Sequence, residues 1–207
     1  MRRYLRARIA ASPDLLRRSL GDSRSERVLT ALSLLDPRVE ALFTRELLPL
    51  AQHASEPVRL KAIAAAGRLS GREAQETLWR ALHGDPAYQV RLLAFRLLEA
   101  SDRPALVARL SALVSEPTFL QRPLWERRKA ALMLAEAVGE EAVPLFARWL
   151  PRRRFFLRQA DLETAGLAVE LLRECGQAGR DVLGALAAGR GKVARMAVQA
   201  LARGGGR

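Results

Sequence analysis

Cysteine, lysine, histidine and aromatic residues are all scarce in this 207-residue chain. Cys175 is the single cysteine, so no intramolecular disulfide can form. It falls in an apolar helical stretch and reads as a small core residue rather than a reactive thiol. His53 and His83 are the only histidines. Each stands near the end of a predicted helix, with no cysteine or carboxylate cluster at metal-ligand spacing, so neither a metal nor a cofactor is expected. Runs of β-branched residues that would build strands are missing. No apolar run approaches the ~18 residues that a bilayer span requires, so no transmembrane segment is expected. The Arg-rich first twenty residues faintly resemble a transit peptide. They lack the apolar core that follows the charges of a secretory signal, and a cytoplasmic location is the expectation. Neither a nucleophile elbow nor a framed phosphate-cradling glycine loop occurs. Glu140 and Glu141 open a predicted helix, where the dipole favours acids, and nothing in the sequence suggests the burial that acid catalysis would need. The chain is therefore expected to be non-enzymatic.

What is present is helix-forming and basic. Hydrophobic residues make up 49% of the chain and aromatics 5%. The apolar share is mostly Ala, Leu and Val, and Ala and Leu lose little side-chain freedom in a helix. The net charge is +13, carried almost wholly by arginine, since Lys61, Lys129 and Lys192 are the only lysines. Such a balance points to an anionic partner. A second reading is compositional, because a GC-rich genome inflates Arg and Ala together.

The chain repeats itself. Val58 to Gly71 (VRLKAIAAAGRLSG) matches Val90 to Asp102 (VRLLAFRLLEASD), Glu126 to Gly139 (ERRKAALMLAEAVG) and Val193 to Ala202 (VARMAVQALA). Each carries Ala four residues in: Ala62, Ala94, Ala130 and Ala197. Weaker copies open at Glu26 and Glu163, giving spacings of 32, 32, 36, 37 and 30 residues, the period of a two-helix repeat. Apolar residues at helical spacing, such as Ile63, Ala66 and Leu69, mark the first helix of a copy. Gly71, Asp102, Gly139 and Gly176 end these helices. Second helices are predicted over 72–83, 103–114, 141–150 and 179–188. Pro57, Pro86, Pro117 and Pro151 mark repeat boundaries.

Ser55 to Gly71 (SEPVRLKAIAAAGRLSG) sets an acid and Pro before Val-Arg, an Ala-rich helix and a Gly. This pattern resembles HEAT repeats, in particular the short bacterial type named after phycobilisome lyases. The resemblance covers roughly residues 24–203. It implies an all-α fold, an α-solenoid of about five to six HEAT-like helical hairpins that share one core because no hairpin can bury its apolar face alone. Residues 1–23 are expected to form N-terminal capping helices, and 204–207 a disordered tail. Arg59, Arg91 and Arg127 share one repeat position, and in HEAT-like families such an arginine often pairs with acids of a neighbouring repeat. The family's function is not implied by its fold.

Departures from the repeat locate a candidate site. The link Ser115 to Trp125 (SEPTFLQRPLW) and the link Pro151 to Asp161 (PRRRFFLRQAD) are longer than the others. Links of this kind lie along one edge of a solenoid, roughly 10 Å apart, and insertions often mark a binding face. Arg148, Arg152, Arg153, Arg154 and Arg158 occur there without an acid, interleaved with Trp149, Phe155 and Phe156; the first link adds Phe119, Arg122 and Trp125. Arginine forks engage carboxylate or phosphate in two-point geometry, and aromatic faces anchor side chains or stack on bases. The competing reading is that the rings seal an irregular junction while the arginines face water. A second basic cluster, from Arg2 to Arg18, is equally compatible with a solvated terminal helix. Arg80 and Arg148 hold equivalent places on second helices, but apolar residues elsewhere break any basic ladder.

The leading expectation is an interaction module that holds a protein partner with an acidic surface. The alternative is nucleic-acid binding through the Arg/aromatic surface. HEAT-like DNA glycosylases use such a surface, but their Trp and Asp pattern does not match this chain residue by residue. A tetrapyrrole lyase or chaperone, suggested by the repeat's name, lacks a supporting Tyr, Cys or His constellation. The oligomeric state and the partner's identity are not encoded in any of these features.

Overall fold

A computed structural model describes residues 12–99, 103–151 and 157–204. Every regular element among the described residues is helical. The chain divides into two compact units, Met1–Ser101 and Asp102–Arg207.

The first unit holds α1 (Pro13–Leu20), α2 (Ser25–Leu34), α3 (Thr44–Leu47), α4 (Glu56–Ala66), α5 (Arg72–Gly84) and α6 (Tyr88–Leu98). α2 packs on α4, α4 packs on α6, and α5 lies against both α4 and α6. The central place of α4 explains its composition. Val58, Arg59, Ala62, Ile63, Ala65 and Ala66 are all buried on one broad face, while Glu56 and Lys61 are exposed. A face covered by several neighbours is largely apolar, and alanine lets those neighbours come close. Pro57 occupies its first turn, where the missing N–H costs nothing. Between α2 and α4 the chain is less regular: 3-10 turns at Pro37–Phe43 and Leu48–Gln52 flank the single turn of α3. Pro49 lies inside this stretch and interrupts the helical ladder.

The second unit repeats the plan with α7 (Arg103–Ser115), α8 (Leu124–Val138), α9 (Val143–Ala147), α10 (Gln159–Glu174), α11 (Gly176–Ala187) and α12 (Lys192–Gly204). α8 packs on α10 and α10 on α12; α9 touches α10 and α11, and α7 packs on α8. In each unit, then, the first helix of one copy packs on the first helix of the next.

Two predicted elements differ in extent. The helix expected over 141–150 is a 3-10 turn, Gly139–Ala142, followed by the short α9. Pro144 sits in the first turn of α9, and the chain leaves the helix at Arg148 ahead of Pro151. The helix expected from Gly179 begins three residues earlier, at Gly176. The cause is a cap supplied from the previous copy: the Glu140 carboxylate accepts from the backbone N–H of Gln177 at 2.7 Å and of Ala178 at 3.2 Å. Gly176 has φ +70°, and a Cβ there would lie 2.7 Å from Glu140 Oε1. Only glycine permits both the turn and the cap. Gly179 has a different role: a Cβ would meet the Leu172 carbonyl oxygen at 1.9 Å, so α11 can approach α10 this closely only without one.

Glu140→Ala is expected to cost about 1 kcal/mol, the usual worth of a helix N-cap, with Glu140→Gln recovering part of it. Urea denaturation of the three proteins measures the order.

α1 is a helix within the segment 1–23, while residues 1–11 lie outside the described residues, as do the expected stop Asp102 and residues 205–207 of the tail.

Candidate partner-binding edge

The arginines at the shared repeat position are held in different ways. Arg59 is buried at the start of α4. Its Nε donates to Asp85 Oδ2 at 2.7 Å and its Nη2 to Asp85 Oδ1 at 3.1 Å, a two-point pair with the acid that precedes the next copy. Its Nη1 also donates to the carbonyls of His53 and Ala54, both at 3.0 Å. The hydrogen-bonded Asp85 carboxylate raises the already high pKa of the guanidinium, with burial acting in the opposite sense. Asp85 additionally accepts the Ala87 N–H at 2.8 Å, which orders the turn into α6. Arg91 repeats the backbone half of this arrangement, its Nη1 donating to the carbonyls of Asp85 at 2.7 Å and Pro86 at 3.0 Å. These are the same relative positions, six and five residues back.

Arg127 is held differently. It is buried, 7% exposed, on the first turns of α8. Its Nη1 donates to Thr164 Oγ1 on α10 at 3.2 Å, and its Nε is buried without a hydrogen-bond partner.

The first long link meets residues that stand just ahead of the second. Phe119, in a 3-10 turn of the first link, is fully buried. Its ring stacks on that of Trp149, with centroids 5.7 Å apart and planes inclined by 26°. The ring of Phe146 in α9 also meets Trp149, tilted by 56° with centroids 5.4 Å apart. These three rings are spent on packing: Phe119 and Phe146 have no exposed surface, and Trp149 is half-buried. Arg122 turns back to Glu126, Nη1 to Oε2 at 3.4 Å, and both side chains are largely covered. Trp125 is half-buried. Arg148 and Arg158 are exposed, and neither forms an ion pair among the described residues. Arg152, Arg153, Arg154, Phe155 and Phe156 lie outside the described residues. Beyond them, Asp161 accepts the Arg158 N–H at 3.0 Å and so fixes the start of α10. On the same unit Arg128 bonds Glu170 at 3.1 Å, joining α8 to α10.

In the first unit Arg80 is exposed and lines a cleft of about 360 Å³ with His53, Thr77, Arg59 and Asp85. His53 Nδ1 accepts the Ser55 N–H at 3.0 Å, which makes it a turn-forming residue at the entry to α4. Among the described residues no group of His, Cys, Asp and Glu could hold a metal ion, and no helix is long and apolar enough to cross a membrane. Cys175 is buried, and burial raises its thiol pKa to about 11. Such a thiol carries little thiolate near neutrality and is a poor nucleophile.

The sequence missed two features: the lack of an ion pair at Arg127 among the described residues, and the cap from Glu140. For Arg127 a signal exists. Acids precede Pro57, Pro86 and Pro117, whereas Leu150 precedes Pro151.

A scan against protein-family models finds no match for this chain, and a search of curated proteins finds none either.

Proposed function

We propose that the chain is a HEAT-like helical-repeat interaction module, and that the edge formed by its two long links holds an acidic segment of a protein partner. The repeat reading rests on the recurring Val-Arg helices, on first helices packing in succession within each unit, and on the Arg59–Asp85 tie between consecutive copies. Packing each copy mainly on its neighbours is how helical-repeat arrays gain stability.

The single observation that carries the partner reading is the division of labour at the repeat-four edge. The rings of Phe119, Phe146 and Trp149 are packed together as a base, while Arg148 and Arg158 project from its margins without an ion pair among the described residues. The sequence between them adds Arg152, Arg153 and Arg154 and no acid. A run of arginines without neighbouring acids attracts carboxylates and steers their approach. The same observation disfavours a nucleic-acid surface. Single-stranded nucleic acid is gripped by free aromatic faces as well as by charge, and these described rings are committed to one another.

Replacing Arg152, Arg153 and Arg154 with alanine tests the reading. A labelled hexaglutamate peptide is expected to bind the wild type and to lose that binding in the triple variant, with helicity and melting almost unchanged. Undiminished binding would move the site elsewhere, and lost helicity would make these residues structural.

A further inference from the structure

In the second unit the successive first helices α8, α10 and α12 leave an open cleft of about 390 Å³. That lies within the roughly 300–1,000 Å³ of ligand-binding clefts. Gly166, Val169 and Arg173 line it from α10, and Met196, Ala200 and Arg203 from α12. Steps of three, four and seven residues put each set on one face of its helix. Arg173 and Arg203 are equivalent, 30 residues apart like the openings of their copies at Glu163 and Val193. With Arg128 of α8, three guanidiniums share the cleft against one carboxylate, Glu170, which the Arg128 Nε already engages at 3.1 Å. Arg173 is bonded to its chain neighbour Glu174 at 3.0 Å, a solvent-facing pair of the kind that holds weakly. Arg203 is exposed and forms no ion pair among the described residues.

The first unit shows what an arginine at this position takes. Arg68, like Arg173 and Arg203, stands ten residues after the opening of its copy. It grips the Glu40 carboxylate at two points, Nε to Oε2 at 2.8 Å and Nη2 to Oε1 at 2.6 Å. Arg203 presents the same fork to an open cleft, with no acid of the chain to fill it. Gly166 is a second, independent observation. It lies in the interior of α10, where glycine weakens a helix relative to alanine. A Cβ there would meet nothing within 4 Å, so no contact inside the chain keeps the position bare. Its missing side chain leaves room beside Val169 and Met196 for an outside group to lie against the helix.

We infer that this cleft is a second binding site, and that it takes a peptide segment in which acidic and apolar residues alternate. A carboxylate of the segment pairs with the Arg203 fork, as Glu40 does with Arg68, and an apolar side chain lies over Gly166 against Val169 and Met196. The inference goes beyond the edge reading above, which concerns other arginines and calls for no apolar contact. The two-point pair at Arg68 favours a planar carboxylate as the anion. The lining favours a peptide over nucleic acid: no aromatic ring is among its described residues, and single-stranded nucleic acid is gripped by stacking as well as by charge.

The test titrates a labelled peptide of alternating glutamate and leucine against the full chain, both as the wild type and with Arg152, Arg153 and Arg154 replaced by alanine to remove the edge. Both proteins are expected to bind it. Arg203→Ala, added to either, is expected to weaken binding roughly tenfold, the worth of a charged hydrogen bond, and to leave melting unchanged because the side chain is exposed. Gly166→Leu is expected to abolish binding and to melt no lower than its parent, since leucine is the better helix former and fills the cleft in place of the peptide. Binding that the triple replacement removes, or that Arg203→Ala and Gly166→Leu leave intact, overturns the inference and leaves the edge reading standing. Hexaglutamate that fails to bind the wild type, while the alternating peptide binds and is lost with Arg203→Ala, overturns the edge reading and leaves the cleft. A single-stranded oligonucleotide that displaces the peptide from the triple variant more readily than unlabelled peptide does overturns the assigned class. A lower melting temperature in Gly166→Leu overturns the role given to that glycine.

Discussion

Arg59→Ala is expected to destabilise the first unit by about 3–5 kcal/mol, the cost of leaving one member of a buried ion pair alone. The carboxylate that remains, Asp85, is buried and would keep only the Ala87 N–H as a partner. The loss reaches beyond the pair. Arg59 also ties down the carbonyls of His53 and Ala54 at the entry to α4, and Asp85 orders the entry to α6. Removal therefore loosens two successive copies at once. Asp85→Ala should cost a similar amount. The paired replacement Arg59→Met with Asp85→Leu should cost much less than the two single changes together, because it leaves no charge stranded. Urea denaturation of the four proteins measures this. Equal, additive losses would mean that the pair is not energetically coupled.

Phe119→Ala should cost about 3–5 kcal/mol, as large-to-small changes of fully buried aromatic residues do. Phe119 has no exposed surface and supports Trp149 by stacking. Although it was singled out in the sequence as a contact residue, its part is to hold the base from which the arginines project. The variant should lose stability in denaturant and lose hexaglutamate affinity with it. Unchanged stability with lost affinity would instead make Phe119 a direct contact.

The register of the first helices was readable because it depends on local pattern. Alanine four residues after each opening position, as at Ala62, Ala94 and Ala130, marks the face that neighbouring helices cover, and all three are fully buried. The pairing of Arg59 with an acid of a neighbouring copy was an expectation from the repeat resemblance, and an acid-Pro step stands before the copies that open at Val58, Val90 and Glu126. The shortening of α9 was not. Whether Pro144 starts a full helix or a single turn depends on where Phe146 and Trp149 pack, which is a tertiary matter. The cap from Glu140 to α11 spans 37 residues, and no local motif announces it. At the candidate edge, the sequence singled out aromatics and arginines on successive links but could not show that Phe119 and Trp149 pack on one another. Seeing that Arg127 lacks an ion pair among the described residues required both the geometry of Arg59 and the absence of an acid before Pro151.

The most direct measurement titrates labelled hexaglutamate and labelled single- and double-stranded oligonucleotides against the full chain by fluorescence anisotropy, at several salt concentrations. An acidic-partner module binds hexaglutamate near physiological salt, and holds oligonucleotides only weakly, through a charge contact that fades steeply as salt rises. Oligonucleotides bound more tightly than hexaglutamate near physiological salt would contradict the account and give the arginine edge to nucleic acid.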